Sequence, residues 1–128
     1  MKQFIANKKI YAVIICYNAA PVLAETYKRI DKELFDKIYF FDDNSSDGSA
    51  EIAKQFDWVV VKNEKNLGHG GNLKKALQTA FKDGADYAVE IHADGQYPPN
   101  EIIKAKQKLS DNYDLIIGSR FQNKNPFL

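Results

Sequence analysis

The run IYAVIIC, from Ile10 to Cys16, limits the fold of this chain more than any other stretch. It contains no charged residue, it is rich in β-branched side chains, and it is too short for a buried helix. Such a run is typical of a strand that is covered on both faces, as in parallel sheets whose crossovers are helices. The sequence therefore predicts a parallel strand here, with helices on both sides of its sheet.

Four further apolar runs alternate with helical patterns along the chain. They predict strands over Lys37–Phe41, Trp58–Val61, Ala85–Ile91 and Tyr113–Gly118. The residues at helical spacing that we expect to face inward are Leu23, Tyr27, Ile30 and Leu34, then Ile52, Ala53 and Phe56, then Leu73, Ala76, Leu77, Ala80 and Phe81, then Ile102, Ile103 and Leu109. Five strands and four helices predict a three-layer α/β/α domain with a mostly parallel, Rossmann-like sheet.

Composition and charge exclude several classes of protein. The chain has 128 residues, enough for one domain with a core, and 18 Lys and Arg against 17 Asp and Glu. That balance argues against a nucleic-acid-binding protein. The single cysteine excludes an intrachain disulfide and fits a reducing compartment. Neither a membrane span nor a signal peptide is evident, so we expect a cytoplasmic protein and leave open a peripheral contact with the inner face of the membrane.

Polar residues concentrate where the predicted strands end. Those that follow the successive strands are Tyr17-Asn18, Asp42-Asp43, the glycine-rich segment Asn66–Gly71, His92-Ala93-Asp94 and Gly118-Ser119-Arg120. In an open parallel sheet, ligands bind outside the carboxyl ends of the strands, where the strand order reverses. The sequence therefore predicts a ligand site built from these five segments.

The residue types at this edge suit a phosphate-bearing ligand and a divalent cation. Asp94, with Gln96 or His92, can offer oxygen or nitrogen ligands to magnesium or manganese. Arg120 can grip a phosphate with its fork of donors. Asp43 can accept hydrogen bonds from a nucleobase or a ribose. Asp47 can cap the helix that follows its loop.

Five motifs together resemble family 2 glycosyltransferases, which have the GT-A fold and use nucleotide-diphospho-sugars. The motifs YAVIICYN, DDNSSDGS, NLGHGGN, HADGQYPP and IIGSRF occur in the family's order and at about its spacing, over nearly the whole chain. The pieces DGQYPP and GSRF are most similar to the branch of polyprenyl-phosphate sugar transferases that includes dolichyl-phosphate mannose synthase.

The resemblance implies roles for individual residues. The donor-binding residues would be Tyr17, Asn18, Asp42, Asp43, Gly68, Gly71 and His92. Asp94 would bind magnesium or manganese at the diphosphate, with Gln96 and His92 as further ligands. Arg120 would meet a phosphate. By this resemblance Asp94 and Arg120 take part in an inverting displacement, from a UDP- or GDP-sugar to a saccharide or lipid-phosphate acceptor.

The chain departs from the family pattern in three places. Ala19 stands where an acidic residue is usual, and His92 stands where the usual Asp-x-Asp begins with an aspartate. Family members also continue for about another hundred residues that carry the acceptor site. No acidic residue follows Asp114, so the catalytic base has no candidate here. We therefore expect residues 1–120 to be the donor-binding domain and residues 121–128 to lead to an acceptor-binding part.

Other interpretations stay open beside the transferase. The chain could be a shortened, non-catalytic module that binds a nucleotide-sugar or a partner, and exposed apolar surface could then favour a homo-oligomer. A sugar nucleotidyltransferase is a weaker alternative, because YNAAPVL stands where such enzymes carry a glycine-rich, arginine-containing loop. At the level of single residues, Asp42–Gly48 could be a turn with a helix cap, and His69 could be a solvated loop residue.

Overall fold

The computed structural model describes residues 8–95, 98–111 and 113–117. The strands are β1 (Ile10–Cys16), β2 (Lys37–Asp42), β3 (Val59–Lys62) and β4 (Tyr87–His92). The α-helices are α1 (Leu23–Arg29), α2 (Ser49–Ala53), α3 (Gly68–Lys82) and α4 (Ile102–Lys106). Single 3-10 turns cover Ala20–Val22, Lys32–Leu34, Pro99–Glu101 and Leu109–Asp111. Among the described residues, no helix combines the length and the apolar character needed to cross a membrane.

The four strands form one parallel sheet in the order β3-β2-β1-β4. Strand β1 lies between two partners, so that Ile14 is level with Phe40 of β2 and with Ile91 of β4. The order runs from β1 to β2 and β3 on one side and to β4 on the other, which places the point of reversal between β1 and β4. This confirms the predicted parallel α/β sheet, and it puts the expected ligand crevice beside the end of β1.

Helices cover both faces of β1, as its lack of polar residues predicts. Ile10, Ala12, Ile14 and Cys16 belong to a core that includes Leu23, Ala53 and Leu109, from α1, α2 and the turn after α4. Tyr11, Val13 and Ile15 face the other way and pack with Ala76 and Ala80 of α3. The three-layer α/β/α arrangement is therefore confirmed.

An aromatic cluster holds β2 against α1 and the start of β3. Phe40 is fully buried, and its ring stacks on Trp58 with centroids 5.5 Å apart. Trp58 meets Phe56 edge-on at 4.9 Å, and Tyr27 stacks on Phe56 at 4.3 Å. Because aromatic rings bury a large area each, this cluster fixes the position of Tyr27, and with it α1, beneath the sheet.

The predicted fifth strand is wrong for residues 113–117, which form no strand. Leu115 and Ile117 are 74% and 77% exposed, while Ile116 packs against the core. The pattern of apolar residues suits a strand, but a strand also needs a neighbour to pair its backbone, and the described sheet ends at β4. Gly118, the last residue of the predicted strand, lies outside the described residues.

Helix α1 is shorter than expected, and two residues of other helices that were expected to face inward are exposed. Helix α1 ends at Arg29 because Ile30 is extended, with φ −88° and ψ 118°, and Leu34 reaches the core from a separate 3-10 turn. Phe81 and Ile103 were expected to face inward but are 50% and 38% exposed. Each follows an inward residue by one position, which turns it about 100° around the helix and away from the sheet.

Replacing Phe40 with alanine should lower the free energy of unfolding by about 3–5 kcal/mol, because it leaves a cavity under Trp58. The matched control is Phe81→Ala, which removes the same atoms from an exposed position on α3 and should cost less than about 1 kcal/mol. Urea denaturation followed by tryptophan fluorescence measures both. Equal losses for the two variants would contradict the described packing.

Cys16 should resist alkylation in the folded protein. Burial raises the pKa of its thiol to about 11, although a hydrogen bond with Ser49 acts in the opposite direction. The folded chain at about pH 8 should therefore react with iodoacetamide far more slowly than the urea-unfolded chain. Between pH 9.0 and about 11 the unfolded thiol ionises before the folded one, so stability should fall more steeply than in Cys16→Ala. Equal rates of alkylation before and after unfolding would contradict this.

Candidate functional site

The strand ends meet along one edge of the sheet, which we call the carboxyl edge. Cys16 at the end of β1 pairs with Asp42, the last residue of β2, and Asp42 pairs with Lys62 at the end of β3. His92, the last residue of β4, is level with Ile15. The segments that follow the four strands therefore lie side by side, as the sequence predicted.

Asp42 joins the segments that follow β1 and β2. Its side chain is fully buried, and its carboxylate accepts hydrogen bonds from the backbone N–H of Ser45 at 2.9 Å and from the Ser45 hydroxyl at 2.6 Å. Ser45 Oγ accepts in turn from the N–H of Asn18, at 2.8 Å. Asn18 has φ 52°, a left-handed conformation that asparagine tolerates better than most residues. Asp42 is therefore a buried residue that supports the segments after β1 and β2.

Asp47 fastens the start of α2 to the segment after β1. Its carboxylate accepts from the N–H of Ala20 at 3.0 Å, and from the N–H and hydroxyl of Ser49 at 3.1 and 2.5 Å. Burial raises the pKa of Asp47, but these hydrogen bonds outweigh it and hold the pKa below its usual value. Gly48 takes the cap position itself, with φ 86°, so Asp47 acts from one residue earlier than expected.

Asp43 connects the end of β2 to the segment before α3. It is 2% exposed, and its Oδ1 accepts from the N–H of Leu67 at 2.7 Å and from Asn63 Nδ2 at 3.0 Å. Asn66 also donates to its backbone carbonyl, at 3.2 Å. The residue predicted to meet the nucleotide therefore forms the floor of the carboxyl edge and positions the glycine-rich segment as well.

Sequence reasoning missed a buried amide pair under this floor. Asn72 is fully buried and donates from Nδ2 to the carbonyl of Phe41 at 3.0 Å, while its Oδ1 accepts from Asn63 at 2.9 Å. Lys75 donates to Asn63 Oδ1 at 2.7 Å. One signal was available: Asn72 precedes Ala76 by four residues, so it lies on the inward face of α3, where a polar side chain needs a partner.

The glycines of NLGHGGN lie in a helix rather than in a loop. Helix α3 begins at Gly68, so Gly68, His69, Gly70 and Gly71 form its first turn. Gly68 has φ 80°, and a Cβ on Gly71 would lie 3.1 Å from Leu67 Cβ. Glycine at these two positions lets the chain turn tightly after Leu67.

Helix α1 anchors the corner after β4, which sequence reasoning also missed. The buried Thr26 hydroxyl donates to the carbonyl of Ala93 at 2.8 Å, and Arg29 Nη1 donates to the carbonyl of Gly95 at 2.7 Å. Gly95 has φ 69° and closes a turn by donating to His92 O at 3.3 Å. Asp94 lies exposed in this turn, beside the point where the strand order reverses.

An exposed carboxylate on an anchored turn fits the chemistry of a magnesium or manganese site, since both ions prefer oxygen ligands. Of the predicted cation ligands within the described part of the chain, Asp94 is the one with an exposed carboxylate on an anchored turn. Gln96, a predicted second ligand, and Arg120, the predicted phosphate contact, lie outside the described residues. Tyr17 follows β1 and is 59% exposed, so its ring is accessible from the same side.

His92 contacts residues that the prediction did not include. Its Nε2 is 3.2 Å from Glu90 Oε1, and its ring stacks on that of His69 with centroids 5.4 Å apart. His69 Nε2 is 3.3 Å from the same Glu90 oxygen. Glu90 and His92 alternate on one strand and so share a face, which is the signal that could have paired them from sequence.

Comparison with known proteins shows what most of this chain is similar to. The sequence profile of the family described as Glycosyl transferase family 2 matches residues 11–127. A UDP-N-acetylglucosamine–dolichyl-phosphate N-acetylglucosaminyltransferase of Methanococcus voltae is 30% identical over 95% of this chain and 56% of its own length. A dolichol-phosphate mannosyltransferase of Pyrococcus furiosus is 31% identical over 88% of this chain and 33% of its own.

A third relative is similar to the same extent. An undecaprenyl-phosphate 4-deoxy-4-formamido-L-arabinose transferase of Klebsiella pneumoniae is 30% identical over 91% of this chain and 38% of its own length. The chain thus spans between 33% and 56% of the length of these three relatives. The names of all three combine a sugar transferase with a polyprenyl phosphate.

Thr26→Val should lower the free energy of unfolding by about 1–3 kcal/mol, because the carbonyl of Ala93 loses its buried donor while the side-chain shape is kept. Thr79→Val is the matched control. The Thr79 hydroxyl donates to Lys75 O within α3, and its loss should cost less than about 0.5 kcal/mol. Urea denaturation measures both variants. A loss for Thr26→Val no larger than that of the control would contradict an anchored turn.

Proposed function

Because the chain belongs to glycosyl transferase family 2, we propose that its carboxyl edge binds a nucleotide-diphospho-sugar and that the whole protein transfers the sugar to an acceptor. The observation that carries this proposal is that the segments after β1, β2 and β4, which bear Tyr17, Asp43 and Asp94, follow strands that lie side by side in the sheet. Nucleotides bind at this place in open parallel sheets. The donor-binding domain would be residues 1–120, and residues 121–128 would lead to an acceptor-binding part.

Each residue at the edge has a proposed task. The exposed ring of Tyr17 and the floor around Asn18, Asp42 and Asp43 would hold the nucleoside, and the first turn of α3, with Gly68 and Gly71, would border it. Asp94 would hold a magnesium or manganese ion with Gln96. When bound, that ion neutralises charge on the departing nucleoside diphosphate. Arg120 would donate hydrogen bonds to a phosphate.

The anchors from α1 contribute to the same task. Thr26 and Arg29 hold the backbone on both sides of Asp94, so that the turn that carries this carboxylate does not need to be ordered when the donor arrives. Groups that are already in place stabilise developing charge without a reorganisation cost. Charge on the leaving group is what grows as the sugar–phosphate bond breaks, and Asp94 would orient its cation there.

A polyprenyl phosphate is the proposed acceptor class, with a saccharide as the alternative. The relatives from Methanococcus, Pyrococcus and Klebsiella carry a polyprenyl phosphate in their names. Such lipids reside in membranes, so the protein would work at the inner face of the membrane. A module that binds the donor without transfer is the second candidate. It is favoured by the contacts that His92 makes with Glu90 and His69.

A thermal-shift screen tests donor binding. UDP-N-acetylglucosamine or GDP-mannose with manganese should raise the melting temperature by several degrees, since a ligand at a hundred times its Kd stabilises the native state by about 2.7 kcal/mol. Asp94→Asn should lose the manganese-dependent part of the rise. Asp57→Asn is the matched control, because Asp57 precedes β3 and so lies at the amino-terminal ends of the strands, away from the carboxyl edge. No shift with any nucleotide-sugar would refute the proposal.

A transfer assay separates the two candidates. Radiolabelled sugar should move from the donor to a short polyprenyl phosphate in detergent, and the product should be extractable into organic solvent. Donor binding without labelled product would support the non-catalytic module.

A further inference from the structure

The two histidines of this chain meet over a glutamate at the edge of the sheet. The chain contains only His69 and His92, and their rings stack at an angle of 26°. Glu90 Oε1 lies 3.3 Å from His69 Nε2 and 3.2 Å from His92 Nε2. The three donor atoms lie within 4.8 Å of one another. Two residues far apart in sequence, on α3 and β4, thus converge with a third on a single point.

We propose that His69, Glu90 and His92 form a binding site for a divalent transition-metal ion, with zinc as the expected occupant. Zinc binds histidine nitrogen and carboxylate oxygen at about 2.0–2.2 Å, and tetrahedral angles then place neighbouring donor atoms about 3.4 Å apart. The two separations from Glu90 already have this size. The remaining pair, the two histidine nitrogens, lies within 4.8 Å, and the proposed site requires a rotation of the His69 side chain, which is 58% exposed.

The donor set selects the class of ion. Two imidazoles with one carboxylate suit zinc, cobalt or nickel, whereas magnesium and calcium prefer oxygen ligands throughout. Three protein ligands leave a fourth position of a tetrahedral ion open for water or another small ligand. The site is reached from solvent, because the side chains of Glu90 and His92 are 31% and 35% exposed.

The local fold brings the three side chains together for identifiable reasons. Glu90 and His92 point to the same face of β4 because strand residues alternate. His69 belongs to the first turn of α3, where its neighbours Gly68, Gly70 and Gly71 have no side chains, and a Cβ on Gly70 would meet nothing within 4 Å. None of these three neighbours therefore places a side chain between the imidazole of His69 and β4.

This site differs from the proposed donor-cation site, and it does not rest on the transferase activity. Asp94 offers oxygen from the turn that Thr26 and Arg29 hold, whereas the histidine pair lies on the sheet face that carries α3. A zinc ion at the histidine pair would join the start of α3 to β4. In that case His92 would bind zinc, and oxygen ligands would hold the cation at the diphosphate.

A cobalt titration tests the site with the metal alone. The chain is prepared without a histidine tag and freed of metal with a chelating resin. Cobalt should bind with a stoichiometry of one, give visible absorption, and be displaced by zinc but not by excess magnesium. His69→Gln and Glu90→Gln should each weaken the affinity at least about tenfold, because each removes a ligand. Asp57→Asn, at the amino-terminal end of the sheet, is the control and should bind cobalt as the unchanged protein does.

Two results would overturn the proposal. One is the absence of stoichiometric binding by the unchanged protein. The other is binding that survives His69→Gln but is lost in Asp94→Asn, which would place the ion at the turn after β4. Circular dichroism and metal-free melting temperatures check that the variants fold, which is expected for side chains at the surface.

A second measurement avoids variants altogether. A chain with two histidines gives two imidazole Hε1 signals in a proton NMR spectrum. One equivalent of zinc should shift both signals together. A shift of one signal alone, or of neither, would show that the two histidines do not share an ion.

Discussion

The structure depends on β1 being paired on both edges and covered on both faces. Ile14 sits level with Phe40 and Ile91, its side chain is fully buried, and the backbone of β1 pairs with a strand on each side. Burial of such a strand is favourable only if every backbone polar group finds a partner, and two parallel neighbours supply those partners. Each parallel neighbour in turn needs a crossover, which brings the helices onto the two faces and the strand ends to one edge.

The carboxyl edge is stabilised by buried polar groups that satisfy one another. Asp42 accepts from Ser45, Asp43 accepts from Asn63 and Leu67, and Asn72 ties Asn63 to the end of β2. Among the described residues, no buried side-chain nitrogen or oxygen lacks a hydrogen-bond partner. An unsatisfied group at such a place costs about 1–3 kcal/mol. The loops at this edge are therefore held in shape before any ligand arrives, and the same atoms that stabilise the fold shape the candidate site.

The sequence predicted the parts of the fold that depend on local pattern, and it missed those that depend on contacts across the chain. Ile10–Cys16 could be assigned from its composition because a continuous apolar run suits few structures. Residues 113–117 have a similar pattern, yet pairing requires a neighbour that no pattern displays. Phe81 lies beside Ala80 in the sequence but at the margin of the helix face, where a small rotation decides its burial. The anchors Thr26 and Arg29 bond to residues more than sixty positions away, which spacing along the chain does not reveal.

His92 lies between the two cation sites that are proposed at this edge. Its position after β4 suggested a ligand beside Asp94, but strand alternation turns its side chain toward Glu90 and α3. An aspartate here would add negative charge next to Glu90, and like charges so close disfavour each other. A histidine adds none in its neutral form and can donate to Glu90 or bind a metal through Nε2. The presence of Glu90 therefore gives a physical reason for histidine at a position where the family usually has an aspartate, and it links that departure to His69 on the neighbouring helix.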